Sequence, residues 1–362
     1  MEDLTKKHFD VMDGGVALVI FIALQYVFYF MLSFFPGILS NYVAYVVLSI
    51  LLESTFALAA ILIALARKKP ILEATTLSKK VNWAIIGFCA IISLASIILF
   101  SDLSNAFSCT LEIAGFTSVL SDVAITNVGT YLISIVAVCA VPAFCEELLF
   151  RGVVLNSFRG VSKWLGIFVS GFTFMLMHGN PDQTIHQLLL GIVLAYIVWE
   201  TKNLWVSIII HFFNNFIAIT LSFALNMMGG ASAGSSGEST PISVQNLILM
   251  WILGLAMAAV GIVLIIWLTK YIKKQSEKAN RAPAENAEVL VDGEPVQTEV
   301  TISKDQADTQ TQNGEEQPAT TQAEQKQKPS QLSLVFTIAS YVAFAGYFVY
   351  EWLSVLIKGL GS

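Results

Sequence analysis

The stretch CEELLFRG, residues 145–152, places Glu146, Glu147 and Arg151 inside a long apolar run. A charged side chain at the centre of a bilayer costs about 3 kcal/mol or more, so residues of this kind usually serve a function there. If the helix ended just before Arg151, both glutamates would lie at the membrane surface, where their cost is small. The apolar pattern instead resumes at once as GVVLNSF, which favours one continuous helix through the charges.

This helix is predicted to run from about 129 to 158, with a kink at Pro142 and an end at Arg159. Glu146 is 13 residues from Arg159, or about 20 Å along a helix that rises ~1.5 Å per residue. Its carboxyl group is therefore expected well inside the membrane.

Two histidines on later helices reach a comparable depth. His178, in FMLMHGN, lies 15 residues after Lys163, or about 22 Å, and His211, in IIIHFFNNF, lies nine after Lys202, or about 14 Å. Three helices can therefore bring a carboxylate and two imidazoles to one level.

The composition of the whole chain is that of a polytopic membrane protein. Hydrophobic residues make up 56% of the 362 and charged residues 13%, and the mean hydropathy is +0.70. There is no basic excess of the kind that indicates nucleic-acid binding. We predict an all-α, polytopic transmembrane helical bundle of about eight core spans, with a C-terminal ninth span after a disordered loop. The apolar runs of spanning length lie near 14–38, 42–66, 82–100, 129–158, 163–178, 184–200, 203–227, 244–270 and 333–357.

Lysine and arginine occur in alternate loops between these runs, as in the loop from 67 to 80, which holds five of them. The intervening loops 37–41, 101–128, 179–183 and 228–243 contain none. The positive-inside rule then places the N-terminus in the cytoplasm and the C-terminus outside. The prediction is a multi-pass plasma-membrane protein, and its simple polytopic form favours a bacterial one.

The chain divides into five predicted segments. Residues 275–331 hold eleven acidic against five basic residues and few aromatic ones, a composition that predicts a disordered loop. This acidic loop is a candidate docking site for a protein partner. The five segments are N-terminal transmembrane helices (1–128), the core with the charged stretch (129–227), an outer loop with the eighth span (228–274), the acidic cytoplasmic loop (275–331) and the C-terminal helix (332–362).

Three pairs of polar or aromatic residues are spaced so that each shares one helix face. The pairing of Glu147 with Arg151 makes burial of the arginine tolerable and leaves Glu146 without a partner in its own helix, as suits a general base. Taken singly, the ion pair could be a structural clasp and the other groups ordinary hydrogen bonds between helices. Their recurrence at similar depth favours a catalytic site. The pairs are Glu147 with Arg151, Phe174 with His178, and His211 with Asn215.

In order and spacing, EELLFR, FMLMH and HFFNN resemble the E-E-x-x-x-R, F-x-x-x-H and H-x-x-x-N motifs of the CPBP family. This family comprises the type II CAAX prenyl proteases together with bacterial bacteriocin-processing and immunity (Abi) proteins. The resemblance covers about residues 129 to 227. It implies an intramembrane endopeptidase that cleaves a membrane-associated peptide or protein among the surrounding lipids.

The resemblance also implies roles for the motif residues. Glu146 would activate a water molecule for attack on the scissile carbonyl group, supported by Glu147. The second and third motifs would position that water or a metal and stabilise the oxyanion; their residues are His178, His211 and Asn215, with Arg151 holding Glu147.

A metal ion is a further expectation from the family, in which His178 and His211 are the candidate ligands of Zn²⁺ or another divalent ion. Asparagine is an unusual zinc ligand, and the sequence contains no H-E-x-x-H motif. A glutamate-activated water molecule held by histidine and asparagine needs no metal, so both alternatives stay open.

Other polar residues have weaker signals. His186, near the start of the sixth span, is interpreted as a solvated histidine at the membrane surface rather than a third ligand. Glu53 and Glu351 lie within the second and ninth spans and are given no role.

Two other classes of function compete with the endopeptidase. A non-catalytic scaffold or bacteriocin-immunity protein of the same fold would act by binding and would tolerate the replacement of Glu146 by glutamine. A transporter would also carry polar groups at the membrane midplane, although no inverted repeat is visible.

Overall fold

The computed structural model describes residues 8–35, 37–38, 42–117, 125, 127–228, 243–281, 290–291, 294–295 and 331–360. Within these ranges the chain is almost entirely helical, as predicted. The helices are α1 Val11–Ser33, α2 Tyr42–Ala66, α3 Ile71–Ala74, α4 Trp83–Ile113, α5 Val128–Leu155, α6 Lys163–Met177, α7 Thr184–Thr201, α8 Leu204–Met227, α9 Val244–Ala279 and α10 Gln331–Leu360. A single 3₁₀ turn, Pro181–Gln183, precedes α7.

Eight helices of the described residues are long and apolar enough to cross a membrane, and α6, with 15 residues, falls short. The structure therefore differs from the prediction of a membrane span over residues 163–178. Gly179 explains its end, because its positive φ of 59° takes the chain out of the helix, and Pro181 follows two residues later. The helix α6 therefore forms the short arm of a hairpin with α7.

Contacts between helix ends show that several neighbouring helices run antiparallel. Asp13 at the start of α1 forms an ion pair with Arg67 just after α2, and the backbone N–H of Lys80, before α4, donates to Asn280 at the end of α9. Lys163 at the start of α6 pairs with Glu200 at the end of α7. The basic loops consequently collect at one end of the bundle.

Three apolar clusters make up the core of the described residues. The largest joins α1, α2, α5, α6 and α10 with parts of α7 and α8, the second joins α4, α7, α8 and α9, and a small third cluster joins α5 to α8. Many side chains on the outer faces of α1, α2, α9 and α10 are large, apolar and exposed, as expected for surfaces that meet lipid.

The helix α10 packs against the other helices, although the long acidic loop separates it from them in the sequence. Its Tyr341 ring packs against the backbone of α1 at Gly14 and Gly15, where a side chain would clash with it. The Trp352 indole donates to Thr184 Oγ1 of α7 at 2.9 Å. At its far end the carbonyl of Gly359 accepts from the backbone N–H of Thr117, 2.9 Å away.

Several predicted boundaries differ from those in the structure. The helix α4 continues to Ile113, well into the predicted loop 101–128, and α9 continues to Ala279, so that the acidic loop begins later than predicted. Within that loop the described residues form a short antiparallel pair of strands, β1 Leu290–Val291 and β2 Glu294–Pro295.

Most of the predicted disordered loop 275–331 and of the outer loop 228–243 lies outside the described residues. The predictions for these two loops therefore stay predictions.

The hairpin of α6 and α7 depends on the close approach of two glycines. A Cβ atom on Gly171 would lie 2.8 Å from the backbone nitrogen of Ile192, and one on Gly191 would lie 2.8 Å from the carbonyl oxygen of Gly171. Only glycine allows the two backbones to meet in this way.

We predict that Gly171→Ala lowers the free energy of unfolding by about 1–3 kcal/mol, the usual cost of overpacking. The measurement is the unfolding temperature of the purified protein in detergent. Gly87→Ala is the matched control, because Gly87 is also helical and has nothing within 4 Å of its Cβ position. Equal unfolding temperatures for the two variants would contradict the prediction.

Candidate active site

The helix α5, which carries the charged stretch, is irregular. Two segments, Ile135–Ala140 and Leu148–Leu155, have the wider π-helical hydrogen-bond pattern, and they flank an α-helical turn from Val141 to Glu147. Pro142 lacks an N–H group, which accounts for part of this disturbance. Such π-helical turns often occur at functional sites, and here they flank the two glutamates.

Glu147 and Arg151 form the ion pair predicted from their spacing. Arg151 Nη1 lies 2.6 Å from Glu147 Oε1, and both side chains are completely buried. Arg151 Nη2 also donates to the carbonyl oxygen of Gly191 on α7, at 3.1 Å. The pair therefore joins α5 to the glycine contact of the α6–α7 hairpin.

The Phe174 ring of α6 lies at the centre of the site. Arg151 stands over its face, with the guanidinium carbon 4.3 Å from the ring centroid, an attractive cation–π contact. The imidazoles of His178 and His211 both meet the ring edge to face, with centroids 4.9 and 5.6 Å away. One aromatic ring thus contacts the arginine and both predicted histidines.

His211, on α8, connects the two glutamates. Its Nδ1 atom is 3.1 Å from Glu147 Oε1, and its Nε2 atom is 4.0 Å from Glu146 Oε2. In the Nδ1–H tautomer the ring donates to Glu147, which leaves the Nε2 lone pair on the side of Glu146. The imidazole is almost fully buried, so this arrangement is shielded from bulk water.

Glu146 differs from its neighbour in having no cationic partner at close range. Only 5% of the residue is exposed, and among the described residues its Oε2 atom has no hydrogen-bond donor. Its carboxyl group contacts that of Glu53, from α2. Sequence reasoning gave Glu53 no role, because a contact between two helices leaves no spacing signal.

The structure brings His178 to the site and gives Asn215 a different contact. His178 Nδ1 is 2.9 Å from the carbonyl oxygen of Phe174, one turn earlier, so its Nε2 atom is the one that does not bond to its own helix. The Asn215 amide donates to the carbonyl oxygen of Val138 at 2.9 Å. Val138 lies in the first π-helical segment of α5, so Asn215 ties α8 to that irregular backbone.

The sequence analysis missed a second histidine–asparagine pair. His186 Nε2, on α7, is 3.4 Å from Asn214 Oδ1, on α8, and Asn214 is buried. His186 is half-buried and contacts a neighbouring helix, so it is not fully solvated as predicted. Asn214 lies three residues after His211, a helical spacing that could have indicated it as well as Asn215.

The arrangement of these residues does not match a three-ligand metal centre. Among the described residues, no group of three or more His, Cys, Asp or Glu side chains is placed to hold a metal ion. We therefore assign no chemical step to a metal, and the predicted Zn²⁺ at His178 and His211 stays a prediction.

Comparison with known families agrees with this site. Residues 128–217 match the model of a family described as type II CAAX prenyl endopeptidase, Rce1-like, a stretch of 90 of the 362 residues. The match includes α5, α6, α7 and most of α8, and with them every residue of the three motifs. No protein of curated function and no solved structure matches the chain.

The buried ion pair leads to a prediction about stability. Arg151→Met leaves the Glu147 carboxylate buried without its cation, so we expect a loss of about 3–5 kcal/mol in the free energy of unfolding. The double variant Glu147→Leu/Arg151→Met removes both charges and should recover part of this loss. Unfolding temperatures in detergent measure both effects.

Lys163→Met is the matched control, because it breaks an ion pair with Glu200 that is partly exposed at the end of the bundle. Exposed pairs contribute about 0–1 kcal/mol. If Arg151→Met were no more destabilising than Lys163→Met, the ion pair would not hold the site together.

Proposed function

We propose, from the match of residues 128–217 to the Rce1-like family of type II CAAX prenyl endopeptidases, that the chain is an intramembrane endopeptidase of the CAAX protease-like (CPBP) family. Its catalytic centre is the cluster of α5, α6 and α8 side chains around Phe174. The observation that carries the proposal is the contrast between two adjacent carboxyl groups. Glu147 is neutralised by Arg151 at 2.6 Å, whereas the buried Glu146 has no Lys or Arg partner among the described residues and lies 4.0 Å from His211 Nε2.

In the proposed reaction the Glu146 carboxylate takes a proton from a water molecule as the water oxygen attacks the scissile carbonyl carbon. The carbonyl electrons move to oxygen and form an oxyanion. The carbon–nitrogen bond then breaks, and the proton passes from Glu146 to the leaving amine. Water and a peptide bond thereby become a carboxylic acid and an amine, with no other reactant.

The two histidines and Asn215 have separate roles in the proposed reaction. His211 faces Glu146 through Nε2, and His178 shares the same aromatic ring. We assign these two histidines to positioning the water molecule, because their Nε2 lone pairs can accept its hydrogen, and the second N–H of the Asn215 amide to donating a hydrogen bond to the oxyanion. Removing one such donor commonly lowers kcat by about 10²–10³.

The proposed substrate is a membrane-associated peptide or protein, because the centre is enclosed by spanning helices with apolar outer faces. We place the protein in a bacterial plasma membrane, with the basic end of the bundle in the cytoplasm as the positive-inside rule requires. The acidic loop 275–331 is proposed to bind a protein partner on that side.

The first test is cleavage of a library of membrane-associated peptides by the purified protein in nanodiscs. Glu146→Gln removes the general base and should lower the cleavage rate about 10²–10⁴-fold without changing the unfolding temperature by more than a few degrees. Glu112→Gln is the control, because it makes the same chemical change at an exposed position of α4 and should cleave at the wild-type rate.

Each reaction is repeated with a chelator, which tests the predicted metal. Loss of wild-type activity that Zn²⁺ restores would support a metal at His178 and His211. Equal cleavage by wild type and Glu146→Gln would contradict the proposed base. If wild type and Glu146→Gln both bound a partner and neither cleaved a peptide, the alternative function of a non-catalytic scaffold would be supported.

The orientation is tested with a membrane-impermeant thiol reagent on intact cells. Cys89, Cys139 and Cys145 are buried, so a Cys109→Ser background should label weakly. In that background Lys79→Cys, at the basic end, should be protected, while Ile113→Cys, at the other end, should react. The reverse pattern would overturn the proposed orientation.

A further inference from the structure

A cavity of about 400 Å³ lies at the basic end of the bundle, and no residue of the proposed catalytic centre lines it. Its walls come from three segments, which are the residues before α4, the end of α7, and the end of α9. Three lysines, Lys79, Lys202 and Lys273, line it together with two glutamates, Glu200 and Glu277. Glu277 is exposed to solvent, so its charge is well hydrated.

Two asparagine side chains hold the walls of this cavity together. Asn203 is completely buried, and its amide donates to the carbonyl oxygen of Lys80 at 3.0 Å and to Ser276 Oγ at 3.2 Å. The Asn280 amide donates to the same carbonyl oxygen at 3.0 Å and accepts from the Lys80 N–H at 2.8 Å. These bonds fix the three segments relative to one another, so a ligand that enters the cavity has little of the protein to order.

The cavity has more positive charge than its carboxylates neutralise. Glu200 lies between two lysines, with Lys163 Nζ 2.6 Å from its Oε1 atom and Lys273 Nζ 3.2 Å from its Oε2 atom. Neither Lys79 nor Lys202 forms an ion pair with any residue that the structure describes. Two ammonium groups of the cavity wall are therefore available to an anion.

Lys202 has a backbone conformation that glycine would adopt at lower cost. It ends α7 in the left-handed region, with φ 49° and ψ 40°, where a side chain is strained and glycine is usual. Its N–H donates to the carbonyl oxygen of Val198 at 2.9 Å, a bond that glycine would form equally well. The end of the helix therefore does not explain the lysine. Strained residues often occur where a side chain serves a ligand.

Aromatic side chains next to the cavity indicate its level in the membrane. On α9 the rings of Trp267 and Tyr271 are exposed and lie against each other, with centroids 4.6 Å apart. Tryptophan and tyrosine are enriched at the level of the lipid headgroups. Lys273 follows Tyr271 by two residues, a rise of about 3 Å. The cavity is therefore expected beside the phosphate groups of the adjacent leaflet.

We propose that this cavity binds the phosphate group of an anionic ligand. Lys79 and Lys202 supply the positive charge. Ser276 Oγ accepts from Asn203, so its own proton can be donated to a phosphate oxygen. The level of the cavity favours an anionic phospholipid as the source of the phosphate, and a soluble phosphate ester is the alternative that the experiment separates. The inference does not depend on the proposed endopeptidase function.

The experiment measures the unfolding temperature of the purified protein in a neutral detergent as lipid is added. Phosphatidylglycerol should raise the unfolding temperature in a saturable way, because a ligand that binds the folded state stabilises it. Phosphatidylcholine, whose headgroup has no net charge, should bind about fivefold or more weakly, the difference expected from one lysine contact. An equal response to the two lipids would overturn the proposal.

Lys202→Gly separates binding from folding. Glycine relieves the left-handed backbone, so the unfolding temperature without lipid should be unchanged or higher. Loss of the ammonium group should raise the Kd for phosphatidylglycerol about fivefold or more. Lys68→Gly is the matched control, because Lys68 also has a positive φ, 52°, at the basic end but does not line the cavity. Equal losses of affinity in the two variants would reveal a general attraction of basic surface for anionic lipid and would overturn the site.

Two soluble probes identify the source of the phosphate. Glycerol 3-phosphate and inorganic phosphate are titrated into the lipid-free protein in detergent at constant ionic strength. A saturable rise in unfolding temperature that Lys202→Gly weakens and Lys68→Gly retains would assign the cavity to a soluble phosphate. The same variant pattern with phosphatidylglycerol alone would assign it to a lipid headgroup. Wild-type affinity of Lys202→Gly for every probe would overturn the proposal.

Discussion

The ion pair between Glu147 and Arg151 is the constraint on which the rest of the site depends. A completely buried guanidinium group costs several kcal/mol unless it is neutralised and its N–H groups find acceptors. Glu147 supplies the charge, the carbonyl of Gly191 supplies an acceptor, and the Phe174 face supplies a cation–π contact. These partners come from three helices, so the contacts of one arginine hold α5, α6 and α7 at a common level, although its Nε has no hydrogen-bond partner among the described residues.

The same arrangement gives two neighbouring carboxyl groups different environments. Glu147 is bound by Arg151 and His211, whereas Glu146 has, among the residues that the structure describes, His211 at 4.0 Å and another carboxyl group beside it. Enzymes often assign separate roles to paired acids in this way, by environment and not by residue type. We assign the role of base to Glu146 because the charge of its neighbour, Glu147, is already neutralised by Arg151.

Sequence reasoning predicted what lies within one helix and missed what lies between helices. The spacing of four residues correctly placed Arg151 beside Glu147 and His178 beside Phe174, because a helix fixes such neighbours. Spacing along a helix could not reveal the contact of Glu53 with Glu146. The two residues are 93 positions apart in the chain, and they meet only because α2 packs against α5. The end of α6 could have been predicted from the sequence. The residues His-Gly-Asn-Pro after its last turn contain a glycine and a proline, and both terminate helices.

The way α10 packs against the bundle has a consequence for how the molecule is assembled. Tyr341, Trp352 and Gly359 hold this helix through non-covalent contacts with α1, α7 and the residues after α4. The intervening residues 280–330 keep α10 at a high effective concentration near its binding surface on the bundle. They do not form that surface. The last helix is in this sense a tethered subunit. Two separately synthesised fragments, divided within the acidic segment, carry between them every one of those contacts and so retain the information needed to reassociate in a bilayer.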